Sequence, residues 1–243
     1  MSDLAEEPVL DEEVFSLLEE EPPPRRLRVG VLISGSGTNL QALIDASASG
    51  YLDAKIAVVV SNKHDAFGLE RARRAGVPAV VVDRARYDSS FAYNAAIADV
   101  LKEHGVDLVV MAGYMRLLGK EVLAAFPNRV MNLHPSLLPA FAGASGIKDA
   151  FEYGVKVTGV TVHFADEHLD HGPIICQEPV RVEEGDTLET LEAKIHEVEH
   201  RLIVEAVRLF EQGRLLIEGR RVRVLPEPDE GSGGRSHIGL DSV

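Results

Sequence analysis

The sequence is short of three things: it has one cysteine, no apolar run long enough to span a bilayer, and no surplus of positive charge. The lone Cys176 cannot close an internal disulfide, which fits a reducing compartment and the expectation of a cytoplasmic protein. No stretch approaches the ~20 consecutive apolar residues of a membrane helix. The start, Met1-Ser2-Asp3-Leu4, is acidic and has no basic n-region, so no secretory signal is expected. With 25 Lys and Arg against 39 Asp and Glu, the chain lacks the basic face that nonspecific nucleic-acid binding needs.

The acidity is unevenly spread. Residues 1–24 hold nine Asp and Glu and no Lys or Arg, which leaves 30 acidic against 25 basic residues elsewhere. This segment ends in Glu19-Glu20-Glu21-Pro22-Pro23-Pro24, and residues 1–25 are expected to form a disordered extension. An apolar pattern inside it (Val9, Leu10, Val14, Phe15, Leu17, Leu18) suits a short docking helix. Residues 226–243 are rich in Gly and Ser and are expected to be a flexible tail. Between them, residues 26–225 are long enough for one domain with a real core.

That domain alternates strands and helices. Leu27–Ile33 reads as a buried strand, followed by a helix over 39–48. Strands at 56–60 and 79–82 flank a helix at 67–75 that Gly76 ends. A helix at 91–104 leads to the strand Leu108–Met111, and a helix at 120–126 leads to a strand at 130–133. This is the pattern of a doubly wound α/β fold with a mainly parallel sheet. Later, Val157–Phe164 and 173–180 read as long strands of more mixed direction. Residues 188–212 form a long helix whose apolar positions recur every three or four residues.

Ligands of such sheets bind beyond the carboxyl ends of the strands. Two polar motifs fall there. Ser34-Gly35-Ser36-Gly37-Thr38-Asn39 joins the first strand to the first helix. Glycines let backbone N–H groups approach an anion, the helix start adds positive charge, and Thr38 or Asn39 can cap it. A dinucleotide fingerprint would need a third glycine and an acidic end to the second strand. Leu40 and Val60-Ser61-Asn62 supply neither, so a phosphate monoester fits better. The second motif is Asn132-Leu133-His134-Pro135-Ser136-Leu137-Leu138-Pro139. Alternation puts Asn132 and His134 on one face of the strand end. With Asp170, in the loop Asp166-Glu167-His168-Leu169-Asp170-His171-Gly172-Pro173, they supply the amide, imidazole and carboxylate that suit a tetrahedral acyl-transfer intermediate. The bland alternative is a satisfied core histidine and a turn aspartate.

These stretches resemble the folate-dependent formyltransferases. The match is carried by Asn132-Leu133-His134-Pro135-Ser136-Leu137-Leu138-Pro139, by Val157-Thr158-Gly159-Val160-Thr161-Val162-His163-Phe164, and by Leu169-Asp170-His171-Gly172-Pro173-Ile174-Ile175. It extends from about Arg28 to Gln212. The resemblance implies transfer of a formyl group from 10-formyltetrahydrofolate to the amine of 5-phosphoribosylglycinamide, a step of de novo purine synthesis. It implies Asn132, His134 and Asp170 as catalytic residues. Gly37, Thr38 and Asn39 would carry the phosphoribosyl group, and Glu199 the remainder of that substrate. Met115, Arg116, Leu117 and Leu118 would line the pterin slot, with Asn132 and the loop Asp166, Glu167, His168, Leu169 and Asp170 on its other side. No metal, nucleic acid or membrane is implied; a homodimer is compatible.

Two positions depart from the family pattern. A basic residue that contacts the folate aligns with Ser90, with Arg84 or Arg86 as candidate substitutes. A proline before Gly143 is Ala142, which suggests a more flexible loop over 141–146.

His196-Glu197-Val198-Glu199-His200 matches the H-E-x-x-H pattern of zinc proteases. It lies in a helix whose other face is core, with only Glu218 as a possible third ligand, and a solvated charged flank is the simpler reading. Three other readings remain. A formyltransferase acting on tRNA would need a basic C-terminal domain, and a formyl-folate hydrolase an added N-terminal domain. A non-catalytic folate- or nucleotide-binding protein would show no turnover.

Overall fold

The computed structural model describes residues 25–227. The expected acidic extension, with its apolar pattern at Val9–Leu18, and the expected tail therefore lie outside the described residues, apart from their innermost positions.

One nine-stranded sheet runs through the molecule in the order β3-β2-β1-β4-β5-β6-β7-β9-β8. The first strands are β1 (Leu27–Ile33), β2 (Ala54–Ser61), β3 (Ala79–Val81), β4 (Leu108–Met111) and β5 (Val130–His134). All five are parallel. Helices α1 (Thr38–Ala48), α2 (Phe67–Arg74), α3 (Ser90–Glu103) and α4 (Lys120–Ala125) make the crossovers. The chain winds outward from β1 to β3, then returns to place β4 on the other side of β1. The strand order therefore reverses between β1 and β4, which opens a crevice at their carboxyl ends.

The strands are apolar throughout because both faces are covered. Val29, Val31 and Ile33 of β1 join one core cluster with α1, α2 and the long C-terminal helix, while Leu32 joins a second with α3. Strand β4 divides likewise, with Leu108 and Val110 on one side and Val109 and Met111 on the other. Each fully buried Leu or Ile in these layers contributes about 1.5–3 kcal/mol.

Direction changes after β5. Helix α5 (Gly146–Tyr153) intervenes, then β6 (Val157–Phe164) pairs antiparallel with β5, and β7 (Ile174–Arg181) antiparallel with β6. The mixed half expected from the sequence is thus built by antiparallel neighbours. Helix α6 (Leu188–Glu211) follows, opened by a capping box between Thr187 and Thr190. It buries Leu191, Ile195, Leu202, Ala206 and Leu209. Two elements have no counterpart in the sequence reading. Helix α5 starts at Gly146, the last residue of the stretch read as a flexible loop, and runs on to Tyr153. Strands β8 (Leu215–Glu218) and β9 (Arg221–Val224) form a hairpin that meets β7 through one residue pair, Ile174 and Arg221. No helix among the described residues is long and apolar enough to cross a membrane.

Candidate active site

Strand β5 delivers Asn132 and His134. Their neighbours Met131 and Leu133 point into the core cluster shared with α6, so alternation sends both polar side chains to the opposite face. His134 is 4% exposed. Its Nε2 lies 2.9 Å from the Phe141 carbonyl and its Nδ1 3.4 Å from Asp170 Oδ2. Each ring nitrogen thus faces an acceptor, and a doubly protonated ring has a partner for both N–H groups.

Asp170 arrives from the β6–β7 loop at φ 51°. That left-handed backbone costs an ordinary residue about 1–2 kcal/mol, less for Asp, whose short side chain bonds locally. Its Oδ2 accepts from the Gly143 amide at 2.8 Å, and its Oδ1 accepts from Asn132 Nδ2 at 3.2 Å. The loop at 141–146, expected to be more flexible for want of a proline, is pinned to the site at the Phe141 carbonyl and the Gly143 amide.

His163 is a member of this site that the sequence reading did not single out. It stands directly across the β5–β6 ladder from Asn132. Its Nδ1 donates to the Phe164 carbonyl at 2.9 Å, which leaves Nε2 to accept from Asn132 Nδ2 at 3.1 Å. The signals in the sequence were a histidine inside a mostly apolar strand and the place of that strand among the stretches that resemble the family. Burial pushes His163 below its ordinary value near 6.5, against the Phe164 bond and the attraction of Asp170, which pull the other way. The folded state therefore favours the neutral ring. The stability it contributes is complete above the unfolded value and is lost as pH falls below about 6.5 toward the depressed folded value. Denaturant melts between neutral and mildly acidic pH should show this loss, and His163→Gln should flatten it. An unchanged slope in the variant would remove His163 as its source.

The His-Pro loop after β5 is held from below. Ser136 Oγ donates to the Ala140 carbonyl at 2.6 Å, and Thr161 Oγ1 donates to the Ser136 carbonyl at 2.7 Å. A fully buried serine so engaged is no nucleophile. Nor is Cys176, whose thiol burial pushes up to about 12.

At the carboxyl end of β1 the glycine loop opens α1. Gly37 caps the helix at φ 71° with no side-chain cap bond. The expected cap by Thr38 or Asn39 is not made, so the first-turn N–H groups carry no side-chain acceptor, as an anion site requires. Gly37 also packs on α2: a Cβ there would lie 2.7 Å from Gly68 Cα. Asn39 turns away, its Nδ2 donating to Glu199 Oε2 at 3.2 Å, and its Oδ1 is buried without a partner among the described residues. Glu199, on α6 and 5% exposed, also meets His196 Nδ1 at 2.7 Å. That hydrogen bond raises His196 above its ordinary value. The H-E-x-x-H stretch is thus tied into the glycine-loop site through Glu199, while Glu218 lies on β8 beside Arg223. Arg71, unnoticed in the sequence, braces the loop by donating to the Ser36 carbonyl at 2.9 Å.

Beyond β4, Met115, Arg116, Leu117 and Leu118 line a cleft of about 430 Å³ with Ser90, Asn94 and Gly119. Met115 and Leu117 are exposed and Leu118 is buried. Ser90 stands in this wall. Arg84 and Arg116 both sit over the Tyr93 ring, at 5.9 and 5.7 Å. Residues 166–170 do not line this cleft. The structure therefore joins Asp170 to Asn132 and His134, and leaves Asp166, Glu167, His168 and Leu169 as an outer loop.

Fold and site together define a doubly wound α/β protein that gathers an amide, two imidazoles and a carboxylate at its strand ends. Comparison with known proteins makes this specific. The formyl transferase family model matches residues 27–207. The chain belongs to the formyl transferase family. It is 42% identical over 191 residues to the phosphoribosylglycinamide formyltransferase of Haemophilus influenzae, covering 79% of this chain and 90% of that protein. It is 43% identical over 204 residues to the chicken trifunctional purine biosynthetic protein adenosine-3, but spans only 20% of that protein's length. Among solved structures, glycinamide ribonucleotide transformylase 1 from Symbiobacterium toebii superposes with a TM-score of 0.81 at 57% identity, covering 83% of this chain and 95% of that one. A formyltetrahydrofolate deformylase from Pseudomonas syringae superposes at 0.78 with 30% identity, covering 84% of this chain and 67% of that one.

Proposed function

We propose that this chain transfers a formyl group from 10-formyltetrahydrofolate to the amine of 5-phosphoribosylglycinamide. The observation that carries the reading is the convergence of Asn132, His134 and Asp170 within hydrogen-bonding reach, beside a glycine loop suited to a phosphate. The amine attacks the formyl carbon, and the carbonyl oxygen takes up the electron pair. The C–N bond to the folate then breaks, and the proton lost by the amine ends on the folate nitrogen. Neither a covalent enzyme intermediate nor a change of oxidation state is involved.

Donors placed where the oxyanion develops are worth about 2.7–4 kcal/mol each. Asn132 supplies one. It spends one N–H on His163 and points the other toward Asp170, and this second N–H is the one the oxyanion takes. His134 supplies a second donor and carries the proton, with Asp170 orienting it. The N-terminus of α1 at Gly37, Thr38 and Asn39 holds the phosphate, and Glu199 the hydroxyl or amine side of the same substrate. The folate ring lies in the cleft of Met115, Arg116, Leu117 and Leu118. Residues 166–170 cover it on closure.

The likeness to a deformylase gives the alternative its footing. A spectrophotometric assay with 10-formyl folate, with and without glycinamide ribonucleotide, separates the two. Folate product that forms only with the ribonucleotide, and survives EDTA, is expected. Deformylation without the acceptor would replace transfer by hydrolysis.

A further inference from the structure

The loop between β6 and β7, part of which is proposed above to cover the folate, carries a cluster of side chains that take no part in the formyl-transfer step itself. Asp166, His168 and His171 each offer one ligand atom, all within 4.8 Å of one another. His171 Nδ1 lies 3.0 Å from Asp166 Oδ2, and His168 Nδ1 3.9 Å from Asp166 Oδ1. The two rings are 5.3 Å apart between centroids. A zinc ion bound tetrahedrally at about 2.0–2.1 Å sets its donor atoms roughly 3.3–3.4 Å apart; the His171–Asp166 pair is already near that separation, and the whole set lies within 4.8 Å, so rotation of the exposed His168 ring completes the site. We propose that Asp166, His168 and His171 form a surface site for a borderline divalent cation, zinc above all, with water at the remaining position.

The donor set suits that choice. Two imidazoles and one carboxylate match zinc and its transition-metal neighbours, whereas magnesium and calcium take oxygen ligands. The carboxylate is already anionic at neutral pH. The backbone is preset as well, because Asp166 Oδ1 accepts from the His168 N–H at 2.8 Å and so folds the loop over its own side chain. The histidines are exposed, so a cation enters without opening the core.

Arg220 is the competing partner. Its Nη1 lies 3.0 Å from both ring nitrogens of His171, and its Nη2 donates to the His171 carbonyl at 2.7 Å. Coordination through Nδ1 leaves a proton on Nε2 and removes that acceptor. Arg220 is exposed, at the turn between β8 and β9, and can keep its bond to the carbonyl while its Nη1 turns to water. The cluster's own hydrogen bonds and ion pairs do not run to Asn132 or His134, so zinc binding can be read whether the chain is a transferase or a hydrolase.

Calorimetric titration of the full chain with zinc chloride tests this, with cobalt(II) absorption as a spectroscopic report of a tetrahedral site. One equivalent of zinc is expected to bind. His168→Ala and His171→Ala should each weaken it roughly tenfold or more, while His196→Ala leaves it unchanged. Melting curves without metal confirm that the variants fold, and His168 is exposed enough for its loss to be tolerated. Absence of zinc binding, or binding of equal strength in both loop variants, overturns the site.

Discussion

His134→Ala should lower turnover by about 10²–10⁴-fold while leaving folate binding nearly intact. That range corresponds to roughly 3–5 kcal/mol of lost transition-state stabilisation, at 1.36 kcal/mol per factor of ten. The size follows from what His134 faces. One ring nitrogen is held by the Phe141 carbonyl and the other by Asp170, so the ring has a single orientation. The folate cleft does not include it, so the loss falls on kcat rather than on binding. The measurement is kcat and KM in the transformylase assay, with folate affinity determined separately. His134 and Asp170 act as one unit, so the double variant with Asp170→Ala should lose far less than the product of the two single losses. A His134→Ala enzyme with unchanged turnover would sink the assignment.

The second large effect is structural. Gly172→Ala should lower the melting temperature by roughly 5–10 °C and reduce turnover as well. A Cβ at 172 would lie 1.7 Å from the Phe164 carbonyl oxygen and 2.9 Å from its carbonyl carbon. Both are backbone atoms at the end of β6 and cannot swing aside as a flexible side chain could. Overpacking of this kind costs about 1–3 kcal/mol and occasionally more, and a domain of this size loses about 2–4 °C per kcal/mol. The strand end that must yield is bonded to the next strand through the Phe164 amide and the Pro173 carbonyl at 2.9 Å. Asp170, two residues away, moves with it and loses its register on Asn132 and His134. Calorimetric melting and the same kinetic assay read both effects. A variant that melts and turns over like the parent would mean that the loop closes in another way.

Most of the fold was legible in the sequence. Buried parallel strands are runs rich in Val, Leu and Ile, and Gly76 and Gly105 mark where α2 and α3 end. β1, β4 and β6 run over the residues the pattern indicates, and the other strands and long helices fall within a few residues of it. Helix α5 was hidden because it opens inside a run of Gly, Ala and Ser and has no side-chain cap to mark its start. The β8–β9 hairpin was hidden because neither strand contains a fully buried residue, and the Arg-Val alternation of β9 is too short to stand out.

The site divides along the same line. Its chemistry was determined by the sequence alone. The types of Asn132, His134 and Asp170, the strand end that presents the first two, and the glycine turn before α1 are local facts, set by side-chain alternation and by the backbone freedom of Gly37. Tertiary structure decided the partnerships. Antiparallel register, which no single strand's pattern contains, set His163 against Asn132. Long-range packing of α6 beside α1 brought Glu199 to Asn39, 160 positions away in sequence. Closure of the β6–β7 loop separated Asp170, drawn in by Asn132 and the Gly143 amide, from Asp166 and His168, left outside. Alternation fixes which face a residue takes, but only the folded sheet fixes what stands across from it.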